Sequence, residues 1–179
     1  MSEGKFVKKE SAPFSIDPLS WQNLRSALNL LNRVFPPEAQ GGERPVVFFT
    51  ASLFSLGRLW LKWKGYPVVR YWVARDNETG AVIGTVGLYT KADDEEAYWG
   101  GWMCVDPEAR GKSLGTMLAF RALVEATIMG DRKYVRLYTS TDPNEAAAQI
   151  MYDQMGLQVY RVEDESGTGY KRLYRQMEI

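Results

Sequence analysis

The chain has 179 residues, 45% hydrophobic and 25% charged, with Lys plus Arg equal to Asp plus Glu at 22 each. That suffices for one substantial core and not for two ordinary domains, so residues 1–179 read as a single domain, with no bulk charge to draw it to nucleic acid or an anionic membrane. Histidine is absent, which excludes a Ser-His-Asp triad, a Cys-His pair and a His-ligated zinc site, and no metal is expected.

Met1–Glu10 is charged and has no apolar run, unlike a signal peptide. In "IDPLSWQNLRSALNLLNRVFPP", Asp17 suits an N-cap and Pro18 a first helical position, and Leu24, Leu28, Leu31 and Phe35 repeat at helical spacing before Pro36 and Pro37. "EAQGGERP" reads as a loop. One further helix is expected up to Lys64-Gly65, within the most apolar stretch, Pro45–Trp63. Arg58, Lys62 and Gly57 interrupt that stretch, so it reads as buried or amphipathic and not as a membrane span. "YPVVRYWVARD" and "AVIGTVGLYT" flank the turn signal "NETG" and form a hairpin. "KADDEE" reads as an acidic loop before a third strand, "AYWGGWMCV".

The pattern then changes. The third strand runs into "VDPEARGKSLG", which contains Gly-Lys-Ser, the tail of a nucleotide-binding loop. A Walker loop needs a glycine five residues before that Gly, where this chain has Asp106 followed by Pro107 and Glu108. Two carboxylates and a missing amide proton would oppose phosphate, so the Walker reading fails. A helix follows over Ser113–Met129, with Leu114, Met117, Leu118, Val124 and Ile128 as its apolar side. "KYVRLYTST" is the next strand, and strand–helix–strand implies a right-handed parallel crossover. "DPNEAAAQIMYDQMG" is a helix with Asp142 as cap, Pro143 at its first turn and Gly156 at its end. "LQVYRVE" and "YKRLYRQME" close the chain as two strands around "DESGTG". The fold class is α/β: a mixed sheet, antiparallel in its N-terminal part, with one central parallel βαβ crossover and helices on both faces.

A strand running directly into a helix aims the helix's first unpaired N–H groups beyond the strand end, and these favour an anion. Arg110 and Lys112 flank them, and the small residues Gly111, Ser113 and Gly115 let a bulky anion come close. A pyrophosphate suits such a site.

The segment "VDPEARGKSLGTMLAFRALVEA" resembles the acetyl-CoA-binding segment of the GNAT N-acetyltransferase superfamily, with Arg110 to Gly115 in its pattern and Ser113 in place of the first glycine. "AAAQIMYDQMGL" resembles the family's second signature through Tyr152, Gly156 and Leu157. The resemblance implies acetyl transfer from acetyl-CoA to the primary amine of a small molecule or peptide by direct attack. Main-chain groups of Met103, Cys104 and Val105 would pair with the pantetheine arm, and the Val105 N–H would face the thioester oxygen. Arg110, Gly111, Lys112, Ser113, Leu114, Gly115 and Thr116 would hold the pyrophosphate. Tyr152 would protonate the departing thiolate. The family's glutamate base falls on Trp99 here, which leaves Glu95, Glu96 or a bound water for that task. It also leaves a second reading, a catalytically inactive domain that binds acetyl-CoA or another acyl-CoA. Cys104, the single cysteine, reads as a buried strand residue. Most of the aromatic residues from Trp60 to Trp102 read as core. The expected protein is cytoplasmic, with no nucleic-acid or membrane partner and with a homodimer left open.

Overall fold

The computed structural model describes residues 12–36, 44–165 and 167–179. Its elements run β1 (Phe14–Pro18), α1 (Trp21–Val34), α2 (Pro45–Ser52), α3 (Ser55–Trp63), β2 (Val69–Asp76), β3 (Val82–Lys91) and β4 (Asp94–Val105). After a short 3-10 turn come α4 (Leu114–Met129), β5 (Tyr134–Ser140), α5 (Ala146–Gln154), β6 (Gln158–Asp164) and β7 (Lys171–Glu178). The seven strands form one sheet in the order β1-β2-β3-β4-β5-β7-β6. Every neighbouring pair is antiparallel except β4–β5, the crossover carried by α4.

Alternation along β2 assigns the two faces. Tyr71 and Val73 pack with α1 and α2 through Ala27, Leu31 and Phe49. Trp72 and Ala74 pack with α4 through Leu114, Leu118, Ala122 and Ala126. The α5 residues Met151 and Tyr152 close over Leu137 and Leu157.

The chain departs from the sequence reading in four places. Asp17 and Pro18 belong to β1, where pairing with Val73 and Trp72 overrides a helix-start signal. The helix is capped instead at Ser20, whose backbone N–H donates to Asn23 Oδ1 at 2.7 Å. The apolar stretch after Arg44 is two helices, broken at Leu53–Phe54. Gly57 is buried inside α3, where a Cβ would lie 2.3 Å from the Ala51 carbonyl oxygen, so the glycine permits α3 to abut α2. Asp94, Glu95 and Glu96 open β4 and do not form a loop.

The apolar side of α4 is the fourth. Leu114 and Leu118 are buried as expected, but Met117, Val124 and Ile128 are exposed and alanines take their place against the sheet. The helix is apolar on two sides, so its periodicity does not choose between them. Among the aromatics, Tyr71, Trp72, Tyr98 and Trp99 are buried, whereas Trp60 and Trp63 are exposed. Pro37 and most of the expected "EAQGGERP" loop lie outside the described residues, as do Met1–Glu10 and Ser166 of the last turn. Among the described residues no helix is long and apolar enough to cross a membrane.

Candidate active site

The parallel pair β4–β5 is joined over only part of its length, Ala97–Trp99 against Tyr134–Arg136. Beyond Trp99 and Arg136 the strands part, leaving Gly100–Val105 and Leu137–Ser140 unpaired across a cleft. The joined end is clamped. Arg136 bonds both oxygens of Asp94 at 2.9 and 2.8 Å, and Trp99 Nε1 donates to Asp94 Oδ2 at 2.8 Å.

A bulge shapes the β4 wall. Thr85 pairs with Cys104 and Gly87 with Gly101, so Val86 opposes both Trp102 and Met103. Trp102 sits at φ 50, an uncommon conformation for a bulky residue, while the Thr85 hydroxyl donates to its carbonyl at 2.6 Å. The Asp106 N–H donates to the Ile83 carbonyl at 2.9 Å, towards β3. Alternation then turns the Val105 peptide groups the other way, into the cleft, and those of Cys104 towards β3. The Cys104 side chain is buried as the sequence suggested, 3.3 Å from the Thr85 hydroxyl, and burial pushes its thiol up to about 11. Iodoacetamide should leave folded Cys104 unmodified at pH 8 and alkylate it once urea unfolds the chain, read by mass spectrometry.

Beyond Val105 the loop to α4 is built for exposure. Asp106 accepts from the Glu108 N–H at 3.2 Å and makes an ion pair with Arg33, tying the loop to the last turn of α1. Gly111 has φ 78, with nothing within 4 Å of a Cβ built there. Ser113 adopts φ 57 just before α4 begins, a left-handed position that costs a serine about 1 kcal/mol. Arg110, Gly111, Lys112 and Ser113 are exposed and Thr116 half-buried, whereas the Leu114 side chain belongs to the core. Leu114, Gly115 and Thr116 open α4, where backbone N–H groups lack intrahelical acceptors.

On the helix side of the cleft, the Tyr152 hydroxyl donates to Met103 Sδ at 3.2 Å. A thioether is a weak acceptor, readily exchanged for a better one. Burial raises the Tyr152 phenol well above its ordinary value, Glu145 raises it further, and Arg175 opposes them. Met103 and Met151 both lie 3.5 Å from a Cβ built at Gly115, so the start of α4, the middle of α5 and β4 converge on one wall. Of the residues singled out from the sequence, Met103, Val105, Gly115 and Tyr152 gather here, and Arg110–Ser113 line the adjoining loop.

Trp99, at the position of the usual base, is buried against Tyr174. One expectation falls. Glu95 and Glu96 lie on the joined side of Trp99, roughly 27–30 Å of extended strand from Cys104, too far to serve that end of the cleft. Glu96 is in addition 3.6 Å from Arg136. Sequence reasoning missed Thr139, whose Oγ1 is buried without a hydrogen-bond partner. It follows Leu137 by two residues on β5 and so shares the face on which Leu137 meets Tyr152. A threonine in a strand carries no signal that would have marked it.

A mixed sheet split at its central parallel pair, with a helix starting at the mouth of the split, defines the GNAT fold. The model of the acetyltransferase (GNAT) domain matches residues 67–159, just over half of the chain. The chain belongs to the GNAT acetyltransferase family. A sequence comparison with curated proteins gave no match.

Solved structures agree on the fold. Arabidopsis thaliana NAA60 in complex with acetyl-CoA is 14% identical, with 93% of this chain and 98% of that one covered and a TM-score of 0.68. A GNAT-family acetyltransferase from Streptococcus pneumoniae is 16% identical over 93% and 99% of the two chains, with a TM-score of 0.67. The spermidine N-acetyltransferase SpeG chimera from Vibrio cholerae and hSSAT is 19% identical over 93% and 96%, at 0.66.

Proposed function

We propose that this chain transfers the acetyl group of acetyl-CoA to a primary amine by direct attack. The observation that carries this reading is the β4–β5 split ending at the start of α4: a slot for an extended arm beside an exposed anion site. When bound, acetyl-CoA supplies an activated acyl group on a thiol leaving group. The donors fit it. Arg110, Lys112 and the amides around Gly111–Thr116 suit a diphosphate, and the outward peptide groups of Met103 and Val105, spaced by Cys104, suit a chain laid along β4 as an added strand. The Val105 N–H would stabilise negative charge growing on the acyl oxygen.

Tyr152 donates its phenolic proton to the departing sulfur, exchanging its bond with Met103 for one that strengthens as the sulfur gains charge. Without a carboxylate at the Trp99 position, the amine gives up its proton to water, and the rate rises with pH as free amine appears. The buried Thr139 hydroxyl offers a bond to the coenzyme from the β5 side. Thr139→Val should therefore raise stability to urea by about 1 kcal/mol, by removing an unsatisfied hydroxyl, and raise the KM for acetyl-CoA roughly three- to tenfold.

The acceptor is a small-molecule or peptide amine. Thiol release from acetyl-CoA, followed across polyamines, amino acids, aminoglycosides and peptide N-termini, tests the reading. One amine class should accelerate release above hydrolysis. Calorimetric binding of acetyl-CoA with release in no class would instead favour the inactive binding domain, which the absence of a glutamate at position 99 supports.

A further inference from the structure

A second cavity, of about 490 Å³, opens beside the N-terminal half of β2, two strands from the β4 wall of the cleft. It exists because β1 pairs with β2 only from Trp72 to Asp76, so among the described residues Val69–Tyr71 face no strand on their outer side. The Leu19 N–H donates to the Tyr71 carbonyl at 2.9 Å on that side. Alternation turns the Val69 peptide N–H and C=O the same way, towards the cavity. The cavity borders α3 and α4, and Leu19, Leu53, Leu61 and Tyr71 give it an apolar lining.

Its charged groups are unbalanced. Arg58, Arg70 and Arg121 line it against one carboxylate, Glu125. Arg70 and Arg121 share that carboxylate, Arg121 at 3.0 Å, and Arg121 Nε is buried with no hydrogen-bond partner. Among the described residues the Arg58 guanidinium meets neutral acceptors alone, the Ser52 carbonyl at 3.2 Å and the Ser55 hydroxyl at 3.3 Å. In a chain of zero net charge, the sequence places no Asp or Glu from Arg44 to Arg75. Among the described residues two formal positive charges therefore remain for a ligand, beside an open strand edge and an apolar lining.

We propose that this cavity binds an N-acylamino acid. Its carboxylate meets guanidinium forks, which match that group bidentately. Its amide pairs with the free edge at Val69, and its apolar side chain lies on the Leu53–Leu61 lining. A free ammonium is disfavoured by the arginines, which separates this class from amino acids and dipeptides. The volume suits a molecule of this size. The inference stands apart from the reading of the β4–β5 cleft and does not depend on it.

Titration calorimetry of N-acetyl-L-phenylalanine into the full chain tests it. One site is expected, filled equally with and without saturating acetyl-CoA. N-acetylphenylalaninamide, which lacks the carboxylate, and the dipeptide Ala-Phe should each bind at least roughly tenfold more weakly. Arg58→Gln should weaken N-acetylphenylalanine roughly tenfold or more with the thermal midpoint unchanged, and Arg70→Gln should weaken it by as much. Arg58 is exposed, so its variant folds even where loss of Arg70 disturbs Glu125. No heat of binding up to about 10 mM, equal affinity for the carboxamide, or displacement by acetyl-CoA would overturn the assignment.

Discussion

Tyr152→Phe is expected to lower the turnover number by about one to three orders of magnitude while acetyl-CoA affinity stays within about twofold. The substitution removes one oxygen from a buried ring and keeps its volume. That oxygen's bond is to a thioether, so folding stability should change by less than about 1 kcal/mol. The activity loss would then be chemical. Burial sharpens the expectation for pH. Because the folded phenol titrates above its ordinary value near 10, the acid form persists through the alkaline range where free amine accumulates. The rate should climb with pH and show no falling limb below about pH 10 that phenol ionisation could cause. A raised phenol is also a weaker acid than an ordinary thiol, so Tyr152 acts first as a hydrogen-bond donor to the sulfur, and the proton passes because the same burial disfavours a free thiolate. Unchanged turnover in Tyr152→Phe would remove this residue from the chemistry.

Ser113→Asp separates coenzyme binding from folding by sign. Residue 113 precedes the first turn of α4 in a left-handed conformation, which aspartate tolerates better than most residues. A carboxylate there also complements the helix dipole, so the thermal midpoint should hold or rise, with a gain of about 0.3–1 kcal/mol. The same charge would stand where the diphosphate is proposed to lie. Its repulsion should raise the KM for acetyl-CoA roughly ten- to hundredfold, about 1.4–2.7 kcal/mol. Ser113→Gly should do the reverse to binding, because it opens the approach and supplies the glycine of the family pattern. A KM that stays put in Ser113→Asp, measured beside the thermal midpoint, would place the phosphates elsewhere.

The parts of this fold that could be read in advance are those with local causes. The β2–β3 hairpin is announced by "NETG" between β-rich runs, and the crossover by a strand, a helix and a strand in series. The loop before α4 is legible because small and basic residues cluster where a strand meets a helix. Long-range causes were hidden. β1 forms because Phe14–Pro18 find β2, against a local signal for a helix start. Asp94 extends β4 because Arg136, far along the chain, bonds its carboxylate. The bulge at Trp102 has no mark in "WGGWMCV", since it depends on Val86 opposing two residues. The site follows the same division. The proposed roles of Arg110–Thr116 and Tyr152 rest on contiguous motifs, whereas Thr139 and the β2 cavity arise only when separate elements meet.

The most direct measurement is a crystal of this chain soaked with acetyl-CoA. Density for the diphosphate within hydrogen-bond distance of the Gly111–Thr116 amides, with the pantetheine arm running along β4 into the gap beyond Trp99, is the expected result. Well-ordered coenzyme elsewhere on the molecule, with that gap empty, would contradict it.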